Sequence, residues 1–372
     1  MSSKLSTGAQ HKLYFPQLDS VRGISFIAIF LFHAVRLPGK GFFLAGFINY
    51  LYENLPLGLE VFFVLSSFLL TYLGLSEYKK RNSFSFKNYF TRRILRIWPL
   101  YYFILLLAFI VSPFIAHRYG FSLSLPNPWY YIFFISNFYI IDHVFFLRFL
   151  WTISVEEQFY LLWGISLRFF YKKLPLIIGL FFLISITFSV YATLMQKSHY
   201  LNSLTYLFDF ACGALAAIAI FRNRKLISWI KSMSRVATAF FYSYLVFHFI
   251  IFYFLDKNTT GFANNFSALL SRYLFIIYTA FFIIEQVTNN ERTTILEKSR
   301  FLVFTGKLSY GLYCYHGITI TFINLLLQHF GINIMNGMLV IIYFTVNYFI
   351  AIISYNYLEL PFLRLKNRWR RI

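Results

Sequence analysis

Acidic residues are scarce in this chain: 13 Asp and Glu stand against 34 Lys and Arg in 372 residues, a formal net charge of +21. An acidic, solvating or disordered surface is thereby excluded. Cysteine is nearly absent. Cys212 and Cys314 both lie in apolar runs with no metal-like spacing, which argues against a disulfide framework, a thiolate metal site or a redox pair, and packing accounts for both. Charge of either sign amounts to only 13% of residues, whereas 59% are apolar, so an ordinary soluble domain is excluded as well. No internal repeat or low-complexity tract is found.

What remains is apolar sequence in long runs. Stretches of spanning length occur at about 23–37, 57–76, 97–116, 155–171, 174–194, 203–221, 236–255, 268–287, 309–330 and 337–358, which predicts an all-α polytopic membrane protein of ten transmembrane helices. The positive charge then reads as topology rather than as a nucleic-acid footprint. With the N-terminus inside, 27 of the 34 basic residues fall in inner segments, so both termini are expected in the cytoplasm. Trp129–Ile141 breaks the pattern: as a span it would move every later basic loop outside, so it is expected to be interfacial or re-entrant. The chain is thus expected to form one membrane-embedded domain, with a cytoplasmic tail at 1–16, a long outer loop at 117–151 and a basic cytoplasmic tail at 359–372. No small-residue cleavage site follows the first apolar run, so a cleaved signal peptide is not expected.

Ionisable residues inside these runs are the candidates for function. Arg22 and His33 are eleven residues apart in RGISFIAIFLFH, which places them on one helix face within about 20° and about 16 Å apart along the axis. A neutral imidazole there can deprotonate a hydroxyl or attack an activated acyl group. Glu60, Ser67 and Thr71 form a stripe in GLEVFFVLSSFLLT, and Glu60 is expected to orient His33 as the carboxylate of a triad does. Arg92, Arg93 and Arg96 lie within about one turn, a cluster suited to phosphate by its forked, permanently charged donors. WTISVEEQFYLLW brings Trp151, Glu156 and Tyr160, while Ser309, Tyr313 and His316 share a face in LSYGLYCYHG, with His316 expected near the cytoplasmic end for donor binding or proton handling. Asp209 is a further buried acid.

Together these segments resemble the acyltransferase-three family, integral membrane O-acyltransferases of bacterial envelope glycans. LDSVRGISFIAIFLFHA resembles its opening motif, GLEVFFVLSSFLL its second, RRILRIWPLYY its Arg-x-x-Arg motif and WTISVEEQFYLLW its Trp-Ser-Leu-x-x-Glu-x-x-Phe-Tyr motif; SYGLYCYH and Glu359-Leu360-Pro361 are similar to its last two. The resemblance implies that His33 is the catalytic histidine, Arg22 its partner, and Arg93 with Arg96 the receptor of acyl-CoA phosphates. It also implies a cytoplasmic donor and an acceptor on the far side. Ser20, Thr152, Ser67 after Ser66, and Glu60 depart from the usual residues. Family members often carry an appended esterase-like domain, and this chain is expected to be the membrane module alone.

The expected function is therefore transfer of an acyl group, acetyl in the first instance, from acetyl-CoA to a hydroxyl of an envelope polysaccharide, lipopolysaccharide or lipid-linked glycan, in a bacterial inner membrane. His33, Glu60 and Arg22 are the expected catalytic groups. Arg92, Arg93, Arg96, Tyr313 and His316 are expected to meet the donor, and Ser66, Trp151, Glu156 and Tyr160 the acceptor. No metal and no nucleic acid are expected; the partners are acyl-CoA, the glycan, the bilayer and a second copy in a homo-oligomer. The alternative is a proton-coupled secondary transporter built on the same buried charges.

Overall fold

The computed structural model describes residues 14–35, 43–120, 123–139, 146–288, 294–366 and 368. No β-strand occurs among them. The chain opens with α1 (Pro16–Ala34), α2 (Phe43–Glu53) and α3 (Gly58–Arg81), then α4 (Phe86–Leu106), α5 (Ser112–Tyr119) and the single-turn α6 (Trp129–Ile132). Next come α7 (Trp151–Phe169), α8 (Leu174–Leu194), α9 (Leu207–Arg222), the short α10 (Arg224–Ser232), α11 (Arg235–Asn258) and α12 (Gly261–Thr288). α13 (Thr294–Lys298), α14 (Arg300–Phe330), α15 (Asn336–Ser354) and α16 (Leu360–Lys366) follow. The expected N-terminal tail up to residue 13, residues 140–145 of the expected outer loop and the basic tail beyond Lys366, Arg368 excepted, lie outside the described residues.

Seven helical segments among the described residues are long and apolar enough to cross a bilayer: 45–81, 86–119, 171–194, 203–222, 235–258, 261–288 and 336–365. This is a multi-pass membrane protein. The remaining three expected spans fall on α1, α7 and α14, of 19, 19 and 31 residues, which do not reach the same apolarity. The reason is their polar content: Gln17, Asp19, Arg22, Glu156, Glu157, Gln158, Lys307 and His316 all sit on these helices. Gln17, Asp19, Glu157 and His316 are buried within the protein, where polar groups at membrane depth are tolerated.

Two helix pairs form the centre, α1 against α14 and α3 against α9. Both approach backbone to backbone. A β-carbon on Gly306 of α14 would collide with the main chain of Asp19, and one on Gly23 of α1 would strike the Leu302 carbonyl. Gly213 of α9 stands against the main chain of Val64 and Phe68 in the same way. Small residues at such crossings are how helices associate where no hydrophobic drive separates protein from lipid.

Two π-helical turns bend the bundle, and each ends two residues before a proline. Leu107–Val111 precedes Pro113, and Tyr355–Glu359 precedes Pro361. Proline cannot donate to the carbonyl four residues back and its ring presses on it, so the ladder widens there. The second turn sets Glu359 into the interior. Between α5 and α7, residues 123–139 form α6 and a 3-10 turn at Ser136–Phe138, too short to span. Tyr101 and Tyr102 of α4 donate to the carbonyls of Tyr131 and Ile132, and Gln158 of α7 donates to the Phe134 carbonyl, fastening this segment to the bundle.

Gly306→Leu is expected to lower the melting temperature in detergent by overpacking worth about 1–3 kcal/mol or more. Gly179→Ala, where an added β-carbon meets nothing, should leave it unchanged or raise it.

Candidate active site

Where α1, α3, α4, α7 and α14 converge, two confluent cavities run along the bundle. The wider, about 510 Å³, begins at the end holding the α1 N-terminus and is walled by Arg22, Arg92, Arg93, Arg96 and Lys307, with only Asp19 and Glu359 as acids. The narrower, about 80 Å³, shares Arg22, Ser66, Arg93, Arg96 and Tyr310 with it and continues past Glu156, Tyr160, Ser309 and Thr152 to Tyr313. A wide, cationic mouth thus tapers into a slim channel.

The arginines differ in their engagement. Arg92 is held by Glu77 at 3.5 Å, and Glu77 also accepts from the Ser85 amide, so Arg92 fastens the α3–α4 turn while lining the mouth. Arg22 pairs at 3.6 Å with Asp19 one turn earlier. Arg93 lies over the Tyr160 ring at 5.8 Å, with its Nε buried and lacking a hydrogen-bond acceptor among the described residues. Neither Arg93 nor Arg96 has a carboxylate within ion-pairing distance among the described residues. A buried guanidinium nitrogen with an unmet hydrogen bond, as at Arg93 Nε, suits an anion from outside the chain. Along the channel wall, Ser66 of α3 lies 2.9 Å from Glu156 Oε1 and 2.7 Å from the Tyr160 hydroxyl. This joins α3 to α7 and places a carboxylate on the path.

At the far end of the channel the Tyr313 hydroxyl accepts from Thr152 at 3.0 Å and donates to the Phe149 carbonyl at 3.2 Å. One turn beyond on α14, His316 packs against His33 of α1, ring centres 5.2 Å apart, with Phe149 against both rings at 4.2 and 4.5 Å. His33 Nδ1 lies 2.8 Å from the Ile29 carbonyl. A carbonyl only accepts, so Nδ1 carries the hydrogen and Nε2 of the neutral ring keeps the basic lone pair.

Several expected contacts are corrected by this packing. Glu60 does not orient His33: it pairs with Arg272 of α12 at 3.2 Å, and Arg272 reaches Asp209 of α9 at 2.5 Å. The stripe of Glu60 and Ser67 faces α9 and α12, with Ser67 donating to the Phe210 carbonyl, whereas Ser66, about 100° around the helix, faces the channel. Trp151 is not on the channel wall but packs on Tyr200 and Tyr206, and its neighbour Thr152 lines the channel instead. His316 lies beside His33 at the far end and not with the arginine cluster. Tyr310, which lines both cavities and donates to the Ile97 carbonyl, and Arg272, the cation between two buried carboxylates, escape a reading of the sequence. Arg272 carries a visible signal nonetheless: a lone Arg inside the 268–287 run, with Asp209 and Glu60 in two others.

Comparison with known proteins gives the class. Residues 15–356 match the family model of the acyltransferase domain, and the chain belongs to this acyltransferase-three family. Peptidoglycan O-acetyltransferase OatA of Listeria monocytogenes is 28% identical over 371 residues, which is 94% of this chain and 56% of that protein. A Staphylococcus aureus protein named, provisionally, as an O-acetyltransferase is 24% identical over 376 residues, covering 94% of this chain and 57% of its own. A Bacillus subtilis protein, provisionally a peptidoglycan O-acetyltransferase, is 28% identical over 168 residues, 42% of this chain and 24% of its own. The chain thus spans little more than half the length of the first two. No solved structure matches it.

Arg272→Met strands two buried carboxylates and is expected to destabilise by about 3–5 kcal/mol. Adding Glu60→Gln and Asp209→Asn should recover part of that loss, read as melting temperature in detergent.

Proposed function

We propose that this chain is a membrane O-acetyltransferase that takes the acetyl group of acetyl-CoA from the cytoplasm and delivers it to a hydroxyl of a cell-envelope glycan on the opposite side. One observation carries the proposal: a cationic cavity adjoins a slim channel that reaches Tyr313, one turn before His316 and its neighbour His33. The phosphates of the donor would meet Arg93 and Arg96, which have no carboxylate partner among the described residues, and the arm that ends in the thioester would enter the channel. The names of the relatives favour peptidoglycan as the glycan. In this reading α1, α7 and α14 also cross the bilayer. That makes ten spans, sets both termini in the cytoplasm of a bacterium and places the protein in its inner membrane, the arginine mouth facing inward.

Chemistry follows from the tautomer of His33. Its Nε2 takes the proton of the acceptor hydroxyl as the oxygen attacks the thioester carbon, and the departing thiolate receives that proton. The alternative order, in which Nε2 first carries the acetyl group, uses the same atom. Glu156, held by Ser66, lies between the arginines and Tyr313 and lines the passage of the thioester.

Membranes supplied with radiolabelled acetyl-CoA test this. His33→Ala is expected to lower label in the glycan by about 100-fold or more, at equal protein abundance. Equal label in wild type and variant removes His33 as catalyst, and no transfer by wild type sinks the proposal. Arg96→Ala is expected to lower kcat/KM for acetyl-CoA by about 10- to 100-fold, a lost charge-assisted contact. A kcat/KM within twofold of wild type, about 0.4 kcal/mol, would take Arg96 out of the donor site.

A further inference from the structure

α11 is the least enclosed of the seven candidate spans, with 17% of its most apolar stretch buried. Between its first half and α12 lies a cleft of about 720 Å³, away from the arginine mouth and the channel. Phe240 and Tyr244 of α11 form one wall, and Leu274, Ile277 and Phe281 of α12 the other. Trp229 of α10 and Met233 stand at its end. Glu285 is the one charged residue on the lining, and it is engaged: its Oε2 accepts from the Tyr242 hydroxyl at 2.9 Å and from the Gln286 amide at 2.8 Å. From Glu285 to Leu274 the lining covers eleven residues of α12, about 16 Å along the axis and so about half of the hydrocarbon core. The cleft therefore has the depth of one leaflet, which is the reach of an ordinary acyl chain.

Positive charge gathers at the α10 end of the cleft. Arg222, Arg224, Lys225, Lys231 and Arg235 are all exposed, and no acidic residue occurs between Asp209 and Asp256. None of the five takes part in an ion pair among the described residues. α10 buries Ile230 in the bundle and leaves its basic residues and Trp229 outside, the pattern of a helix lying in the membrane interface. Gln17 of α1 donates to the Gln286 carbonyl at 2.9 Å, so this is the end of the bundle that holds the α1 N-terminus. We infer that the cleft binds an anionic phospholipid of the membrane, its acyl chains between α11 and α12 and its phosphate against the basic residues around α10. An apolar cleft alone would accept any lipid; the unpaired charge at its end selects a negative headgroup, at about 1 kcal/mol for each Lys or Arg near the surface. The inference rests on the membrane reading and is independent of acetyl transfer.

Trp229 at the cleft reports its occupant. The whole chain is reconstituted in phosphatidylcholine bilayers, part of whose lipid is replaced by phosphatidylglycerol or phosphatidylcholine with brominated chains, which quench tryptophan on contact. The difference between wild type and Trp229→Phe isolates the signal of Trp229. Half of that signal is expected to be quenched at a mole fraction of phosphatidylglycerol about 10-fold below that of phosphatidylcholine. Combining Arg224→Gln, Lys225→Gln and Lys231→Gln should bring the two lipids within twofold of each other. Ala237→Phe, which narrows the cleft and leaves the charge intact, should raise the half-quenching fraction of phosphatidylglycerol several-fold. The inference is overturned if wild type treats both lipids alike, if the triple variant keeps the preference, or if none of the quenching depends on Trp229. An unchanged Ala237→Phe would reduce the preference to surface attraction by α10, and displacement of brominated phosphatidylglycerol by an equal fraction of a polyprenyl diphosphate would give the cleft to a different lipid; either overturns it too. All the substituted positions are exposed, and a melting temperature in detergent equal to that of wild type checks that the variants are compared folded.

Discussion

The approach of α1 to α14 is the constraint on which the rest of the structure depends. Glycine on each helix lets the main chains touch, Gly306 at Asp19 and Gly23 at Leu302. Because both helices are rigid, contact at that end fixes the register along their length, and His33 meets His316 on the way to the other end. The same contact turns Arg22 toward the arginines of α4 and lets Ser309, Tyr310 and Tyr313 wall the channel. A larger residue at Gly306 would push the helices apart and open every one of these distances at once.

Charge inside the bilayer explains why the interior is arranged as two separate electrostatic systems. Glu60, Arg272 and Asp209 satisfy one another among α3, α12 and α9, and serve to hold that half of the bundle. The arginines of α4 and Arg22 form the other system, in which positive charge exceeds negative beside a cavity of about 510 Å³. A closed ion cluster binds the protein to itself; an unbalanced one beside a cavity is prepared for a ligand. Adjacent serines on α3 divide the two, with Ser67 facing one and Ser66 the other.

Helical periodicity makes much of this arrangement legible in the sequence. Spacing alone sets Arg22 and His33 on one face of α1 and gathers Arg92, Arg93 and Arg96 within a turn of α4, and the apolar runs mark seven spans directly. Periodicity does not say which helix a face meets, so Glu60 reads as a partner for His33 although α9 and α12 hold its face. Arg272 is hidden for a related reason: a single basic residue near a helix end reads as topology until the opposing acids are seen to converge on it. Three helices carrying the site, α1, α7 and α14, are not among the seven candidate spans, so the feature that marks function weakens the membrane signal there.

The Tyr313 hydroxyl, engaged with Thr152 and the Phe149 carbonyl, stands in the wall of the polar channel one turn before His316. A bundle that leads solvated charge so far into a bilayer would otherwise be a leak for protons and small ions. Apolar packing beyond that phenol would keep an insulating layer, over which most of the membrane voltage would fall. In the proposed reaction, the energy stored in the membrane would then act on any charge that moves between the arginines and His33.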